Sequence, residues 1–230
     1  MIRKHIPNAI TSLNLFSGCI ATVYAFQGAW LTAALFVALA AVFDFLDGFA
    51  ARLLKAYSPM GKELDSLADV VSFGLAPSMM VYSFLSDQIQ STGNPPILAW
   101  TAFLLPVFSA LRLAKFNLDE RQKESFIGLP TPANGLFWAF GIGSSFEFLI
   151  DKNFDPMFIV AGILLFSWLL VSNLPMFSLK FKNFKYKGNR LRWYFLAGCV
   201  LLIVALGLPG ISASILWYIL LSVINVKDNL

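Results

Sequence analysis

The sequence predicts an all-α membrane protein, a polytopic bundle of about eight transmembrane helices preceded by a short N-terminal interfacial segment. Apolar residues make up 58% of the chain and charged residues only 13%, whereas a soluble domain carries roughly 25% charge. The mean hydropathy is +0.71. Apolar runs of about 20 residues, long enough to cross a bilayer, recur along the whole chain.

Residues that begin or end helices separate the predicted spans. Gly28 divides the first two, Gly93-Asn-Pro-Pro96 ends the turn between the third and fourth, and Pro130 opens the fifth. Residues 1–8 are basic and contain Pro7, which favours a segment along the interface; a cleaved signal peptide is the less favoured alternative. The spans cover approximately residues 9–27, 29–51, 65–86, 97–117, 131–150, 157–176, 193–208 and 210–226, and the last two are short for a bilayer.

The distribution of basic residues predicts the orientation of the bundle. Of the 17 lysines and arginines, Lys152 alone lies in one set of loops. By the positive-inside rule, the other set and both termini lie in the cytoplasm. The basic loop 180–192 is interpreted as a contact with anionic lipid. The cytoplasmic set comprises Arg3, Lys4, Arg52, Lys55, Lys62, Arg112, Lys115, Arg121, Lys123, Lys180, Lys182, Lys185, Lys187, Arg190, Arg192 and Lys227.

Two pairs of aspartates meet at the polar end of the second and third spans. Asp44 and Asp47 are three residues apart, and Asp65 and Asp69 are four apart, so each pair lies on one helix face. Four such charges facing one another repel unless a cation neutralises them. Oxygen ligands favour Mg²⁺, Mn²⁺ or Ca²⁺ over zinc. If the two helices pack side by side, the set suffices for two cations about 3.5 to 4 Å apart.

The residues between the aspartates are suited to a diphosphate. Gly48 and Gly61 remove side chains where a ligand could approach. Arg52, one turn beyond Gly48, can form paired hydrogen bonds with a phosphate. The stretch from 44 to 69 therefore predicts a metal-assisted diphosphate site at the membrane surface, in a protein that contacts the lipid bilayer and no nucleic acid.

The pattern D-x2-D-G-x2-A-R-x8-G-x3-D-x3-D is matched at every fixed position from Asp44 to Asp69. It resembles the signature of the CDP-alcohol phosphotransferases. Further stretches resemble one branch of that family, the bacterial membrane phosphatidylserine synthases. They are NLFSG (14–18), GKELDSLADVVSFG (61–74), LRLAKFN (111–117), GLPTPA (128–133) and VSNLP (171–175), and Lys115 stands where an arginine is expected.

That resemblance implies transfer of the phosphatidyl group from CDP-diacylglycerol to L-serine, giving phosphatidylserine and CMP. It implies that Asp69 is also the general base for the serine hydroxyl, and that the protein is a homodimer in the bacterial inner membrane, with its active site on the cytoplasmic side. Direct displacement is favoured over a covalent intermediate, because no Cys or His lies near the motif. The implied metal ligands are Asp44, Asp47, Asp65 and Asp69, and the implied CDP contacts are Gly48, Arg52 and Gly61, with Asn14 as a weaker candidate.

The acceptor also needs a group that binds its carboxylate. Arg112 and Lys115 lie at the cytoplasmic end of the fourth span and are the candidates. The alternative is that both are anchors that extend to the membrane surface. Asn117 and the segment 128–133 are candidates for the walls of the acceptor pocket, and Thr11, like Asn14, is equally consistent with ordinary hydrogen bonds between helices.

The sequence is also consistent with other functions. The same chemistry could use glycerol phosphate or inositol phosphate as the acceptor. A divalent-cation transporter is a further alternative, since aspartates within membrane helices also mark ion paths; a transporter, however, favours carboxylates at the midplane and inverted repeats. We expect one membrane domain over residues 1–230, with a catalytic core over approximately 1–190 and an additional C-terminal helix pair over 191–230.

Overall fold

The structure is a computed structural model that describes residues 5–118, 126–145, 149, 155–177, 179, 186 and 188–228. These residues form a helical bundle, which confirms the predicted all-α membrane class. The helices are α1 (Ile6–Phe26), α2 (Trp30–Leu53), α3 (Pro59–Asp69), α4 (Ala76–Thr92), α5 (Leu104–Leu118), α6 (Thr131–Gly143), α7 (Pro156–Val171), α8 (Arg190–Leu206) and α9 (Pro209–Asp228). A π-helical segment, Val70–Leu75, joins α3 to α4, and a 3-10 helix, Pro96–Phe103, precedes α5.

Length and composition identify candidate membrane spans within the described part of the chain. Ile6–Phe26, Trp30–Leu53, Pro59–Gln90 and Pro96–Leu118 are long and apolar enough to cross a membrane. They correspond to the first four predicted spans. Two shorter apolar helices, Pro156–Val171 and Pro209–Asn225, correspond to the sixth and eighth.

Three predicted boundaries differ from the structure. Residues 6–8 are the first turn of α1 rather than an interfacial segment, because Pro7 is tolerated at the start of a helix. The third span begins at Pro59, since Ser58 caps it by accepting a hydrogen bond from the Gly61 amide at 3.0 Å. The sixth span ends at Val171 rather than 176. Beyond it, β2 (Pro175–Met176) pairs antiparallel with β1 (Phe126–Ile127).

Other predicted segments lie partly or wholly outside the described residues. The fifth span is helical as far as Gly143, and residues 146–148 and 150 of its predicted range lie outside the description. The basic loop is described at 186 and from 188 onward. The basic residues that fall outside the description are Arg3, Lys4, Arg121, Lys123, Lys152, Lys180, Lys182, Lys185 and Lys187, and the side chain of Lys227 is likewise not described.

Pro59–Gln90, here called the central helix, is the hub of the bundle. Its most apolar window is 61% buried, against 33%, 28% and 33% for the other three candidate spans. The π-helical segment begins directly after Asp69 and changes the direction of the residues that follow it. Such π-bulges are frequent at functional sites.

Glycines let other helices approach the central helix closely. A Cβ on Gly18 of α1 would lie 2.7 Å from the Ser72 Cα, and one on Gly135 of α6 would lie 2.7 Å from the Phe73 Cα. The Ser72 hydroxyl donates a hydrogen bond to the Asn14 carbonyl at 3.0 Å across the first of these contacts. Small residues at such crossings allow the backbone-to-backbone packing that stabilises helices in lipid.

The two C-terminal helices differ in how they join the bundle. In α9, Ser212 donates to the Phe137 carbonyl at 2.8 Å and Tyr218 donates to the Phe177 carbonyl at 2.9 Å. In α8, Phe195 is the single buried residue, although every residue of that helix is described. Helix α9 is therefore part of the packed bundle, and α8 presents most of its apolar surface outward.

Candidate metal and substrate site

The predicted carboxylates converge where the end of α2 meets α3. One oxygen from each of Asp44, Asp47 and Asp65 lies within 4.8 Å of the others. Asp47 is only 6% exposed, and Asp44 and Asp65 are half-buried. Two helices that are separate in the sequence thus place three negative charges in one small volume.

Asp69 lies outside this set of three but belongs to the same electrostatic cluster. It is 6% exposed, and its carboxylate interacts with that of Asp44 and with the charge of Asp65. Asn14 of α1 and Arg112 of α5 act on it favourably, through an amide dipole and a positive charge. Asp69 therefore connects the carboxylate cluster to the side of the bundle formed by α5.

The carboxylates fit a divalent metal on two grounds. Asp47 Oδ2, Asp65 Oδ1 and Asp69 Oδ1 are buried without a hydrogen-bond partner among the described residues. Buried charged oxygens are normally paired or bound to metal, and oxygen-only ligands suit hard divalent cations. The cluster could therefore hold a divalent metal ion.

A cavity of about 200 Å³ opens beside the carboxylates. Both predicted glycines contribute to its wall. A Cβ on Gly48 would meet no atom within 4 Å, whereas one on Gly61 would lie 2.9 Å from Asn8 Oδ1. The lining residues are Pro7, Asn8, Thr11, Asp47, Gly48, Ala51, Ala56, Tyr57, Ser58, Gly61, Lys62 and Asp65.

Sequence reasoning did not identify Lys62 as part of the site. Its ammonium donates to the Asn117 carbonyl at 2.9 Å, and the Asn117 amide donates to the Ser66 hydroxyl at 2.9 Å. These bonds tie the end of α5 to α3 and fix a positive charge at the cavity. The signal was present in the sequence, since Lys62 follows Gly61 within the motif.

Thr11 of α1 also lines the cavity, next to Asp47. Its hydroxyl donates to the Pro7 carbonyl at 3.0 Å, so its oxygen remains oriented by the first turn of α1. Asn14, one turn further on, is completely buried, and neither its Oδ1 nor its Nδ2 has a hydrogen-bond partner among the described residues. The cavity is lined by Thr11 and not by Asn14.

Two predicted basic residues lie at the periphery. Arg52 is exposed at the end of α2 and is not among the residues that line the cavity. Lys115 is exposed and donates to the Val171 carbonyl at 3.3 Å and to Asn173 Oδ1 at 3.0 Å. Those contacts tie α5 to the end of α7, which gives Lys115 a bridging position.

Arg112 has a different environment from these surface cations. It is 6% exposed, its guanidinium lies 5.1 Å from the ring centre of Phe116, and Nη1 donates to Thr131 Oγ1 at 3.5 Å. Its Nε is buried without a partner among the described residues. A side chain that extends to the membrane surface would be exposed at its charged end, so Arg112 is an inward-facing cation beside Asp69.

The fold and the site together define an integral membrane protein. At one end of its bundle, next to a cavity, lies a cluster of carboxylates suited to binding a metal ion. The model of the CDP-alcohol phosphatidyltransferase family matches residues 4–223. The chain belongs to that family, as the aspartate motif predicted, and it is a transferase.

Curated relatives are about one-third identical to this chain over the aligned residues. It is 35% identical over 182 residues to "CDP-diacylglycerol--serine O-phosphatidyltransferase" of Bacillus subtilis (strain 168), a match covering 79% of this chain and 92% of that protein. Proteins of the same name from Helicobacter pylori (strain ATCC 700392 / 26695) and Mycobacterium leprae (strain TN) are 33% and 34% identical over 183 and 179 residues. Those matches cover 78% and 74% of this chain, and 72% and 57% of the two relatives.

Proposed function

We propose that this protein transfers the phosphatidyl group of CDP-diacylglycerol to the hydroxyl of L-serine, giving phosphatidylserine and CMP. The observation that carries the proposal is the convergence of Asp44, Asp47 and Asp65 beside the cavity that Gly48 and Gly61 line. The names of the relatives support serine as the acceptor.

In this proposal, the metal ligands are Asp44, Asp47, Asp65 and Asp69. They hold two Mg²⁺ or Mn²⁺ ions per site, with Ca²⁺ as the alternative. The bound metal supplies charge neutralisation for the diphosphate and for the departing CMP. The unpartnered buried oxygens of Asp47, Asp65 and Asp69 support this assignment.

The CDP portion occupies the cavity. Gly48 and Gly61 leave room for the diphosphate and ribose to approach the helix backbones. Lys62, at the cavity wall, adds a positive charge on the phosphate side. Arg52 contacts the nucleotide from the membrane surface, and Asn14 is the weaker candidate for a CDP contact, since it does not line the cavity.

Asp69 accepts the proton of the serine hydroxyl; its burial and its electrostatic interaction with Asp44 support this role. The hydroxyl oxygen forms a bond to the phosphorus that carries diacylglycerol, and the bond from that phosphorus to the CMP oxygen breaks. Arg112 binds the serine carboxylate, because it is an inward-facing cation on the α5 side of Asp69. Lys115 makes a smaller contribution, since it is engaged with Asn173.

We also propose that the site faces the cytoplasm of a bacterial inner membrane and that residues 1–230 form one membrane domain, active as a homodimer. Helix alternation puts Arg52, Lys62, Arg112, Lys115 and Arg190 at the same end of the bundle as the aspartates, and the positive-inside rule then favours the cytoplasm. Accessibility labelling of cysteines introduced at both ends, and the mass of the protein in nanodiscs, check these assignments.

The test supplies purified protein with CDP-diacylglycerol, Mn²⁺ or Mg²⁺, and one labelled acceptor at a time. We expect labelled serine to enter lipid with release of one CMP per molecule transferred. Incorporation of glycerol phosphate or inositol phosphate instead of serine would refute the acceptor while leaving phosphatidyl transfer standing. No CMP release with any of these acceptors would refute the transferase proposal.

A further inference from the structure

Asn134 of α6 is a buried polar side chain to which the proposed reaction assigns no role. It is 0% exposed, and neither its Oδ1 nor its Nδ2 has a hydrogen-bond partner among the described residues. An amide that is buried and unpaired is unfavourable, since it loses its bonds to water without replacement. A buried amide of this kind is a candidate contact for a polar ligand.

Its position on α6 connects Asn134 to the acceptor side of the site. Thr131 and Asn134 are three residues apart, so they lie on the same face of the helix. The Thr131 hydroxyl is the group that Arg112 Nη1 reaches at 3.5 Å. Arg112 has in addition an unpartnered, buried Nε and acts on the charge of Asp69.

Helix α9 contributes to the same region. Tyr218 is 5% exposed and interacts electrostatically with Arg112, while its hydroxyl donates to the Phe177 carbonyl. Helices α5 and α6 therefore contribute a buried cation and a buried neutral amide whose donor and acceptor atoms have no partner among the described residues, and α9 adds the buried Tyr218. This pair of groups suits a small ligand that carries one negative and one positive charge.

We propose that this region receives the amino-acid end of the acceptor, and that Asn134 is a specificity-determining residue that accepts a hydrogen bond from the substrate ammonium. This inference rests on the proposed function and adds a second contact to that of Arg112 with the carboxylate. A phosphorylated polyol has no ammonium, so it can offer Asn134 Oδ1 only a neutral hydroxyl in place of the stronger charge-assisted bond. The enzyme thereby rejects acceptors that Arg112 alone would admit.

The test compares wild type with Asn134→Leu and Asn134→Ala. Leucine has the same branching and the same number of side-chain heavy atoms as asparagine, so it removes the amide while filling the site. We expect KM for L-serine to rise at least tenfold in both variants, with KM for CDP-diacylglycerol changed less than twofold. The inhibition constant of 3-hydroxypropionate, which is serine without its ammonium, should change less than threefold, because this compound makes no bond to Oδ1.

Stability provides the readout that separates a binding role from a packing role. Because leucine replaces an unpaired buried amide, Asn134→Leu should have an unchanged or higher Tm in detergent together with its higher serine KM. The matched control is Ser78→Ala, which removes a fully buried hydroxyl that is already paired with the Leu75 carbonyl at 2.8 Å. Its KM values for both substrates should equal those of wild type.

The outcomes distinguish this inference from the proposed function. A wild-type protein that does not use serine refutes the proposed function. A wild-type protein that uses serine, with unchanged serine KM in either Asn134 variant, overturns the specificity role. Equal losses for serine and 3-hydroxypropionate overturn it as well, because the ammonium would then have no part in the contact.

Discussion

The central helix and α8 are both apolar, but the first is largely buried within the bundle and the second is largely exposed. The central helix is the least apolar of the four long spans and the most buried, with a 61% buried window. In α8, Val200, Leu201 and Val204 are 64%, 67% and 81% exposed. Within this pair, the exposed apolar face of α8 is surface for lipid, whereas a hub within the bundle needs small and polar residues that other helices and a substrate can contact.

The largest expected effect is at Asp69 on the central helix. Asp69→Asn should lower kcat by about a thousandfold or more, because a general base contributes roughly 10² to 10⁴ and this residue also belongs to the carboxylate cluster. Serine incorporation by the purified variant measures the loss. Asp87→Asn is the control, since Asp87 is exposed on the same helix away from the cluster; its activity should match wild type. Turnover retained in Asp69→Asn would remove Asp69 as the base.

Metal removal tests whether the hub is stabilised by a cation. Chelation should abolish transfer, and Mn²⁺ at a hundred times its Kd should restore it and stabilise the fold by about 2.7 kcal/mol, the linkage energy at that excess. Thermal unfolding in detergent with and without Mn²⁺ measures the shift. In Asp44→Asn the shift should shrink, because one of the three converging carboxylates is lost. An equal shift in that variant would place the stabilising metal elsewhere.

Glycine contacts test the packing of the hub. Gly135→Ala should destabilise the fold by about 1–3 kcal/mol, because its Cβ would lie 2.7 Å from the Phe73 backbone, which cannot easily move. Gly141→Ala on the same helix is the matched control, since its Cβ would meet its nearest atom at 3.6 Å, an ordinary contact. Unfolding temperatures of the two variants measure the difference. Equal temperatures would mean that the α6 crossing is looser than the structure indicates.

The smallest effect is expected on the outer face of α8. Val204→Ala should change stability by less than about 0.5 kcal/mol, because 81% of the side chain is exposed. Phe195→Ala, on the inner face of the same helix, should cost more, since Phe195 contacts the rings of Phe177 and Tyr218. Unfolding of both variants in lipid nanodiscs checks the contrast. A large effect at Val204 would identify that face as an interface within an assembly.

Much of the bundle was predictable because long apolar runs in the sequence predict membrane helices. The approach of Asp44 and Asp47 to Asp65 was predictable as well, since both pairs lie at adjoining helix ends. The end of the sixth span was not. The run from 157 to 176 carries no charge, but Pro175 cannot continue a helix and pairs in a short strand instead.

Packing against distant elements explains what the sequence could not reveal about the site. Arg112 and Lys115 are three residues apart with the same charge, yet one is enclosed beside Thr131 and the other bridges to Asn173. That difference depends on which helices pack around α5. Likewise, the sequence shows Asn134 only as an ordinary residue near a helix start. Its burial without a hydrogen-bond partner among the described residues is what makes it unusual.

The most direct test of the account is to locate Mn²⁺ in crystals of the protein by anomalous scattering. The account predicts a peak at coordination distance, roughly 2.0–2.6 Å, from the carboxylate oxygens of Asp44, Asp47 and Asp65. A peak bound only by other residues, or none at a Mn²⁺ concentration that supports full activity, would contradict it.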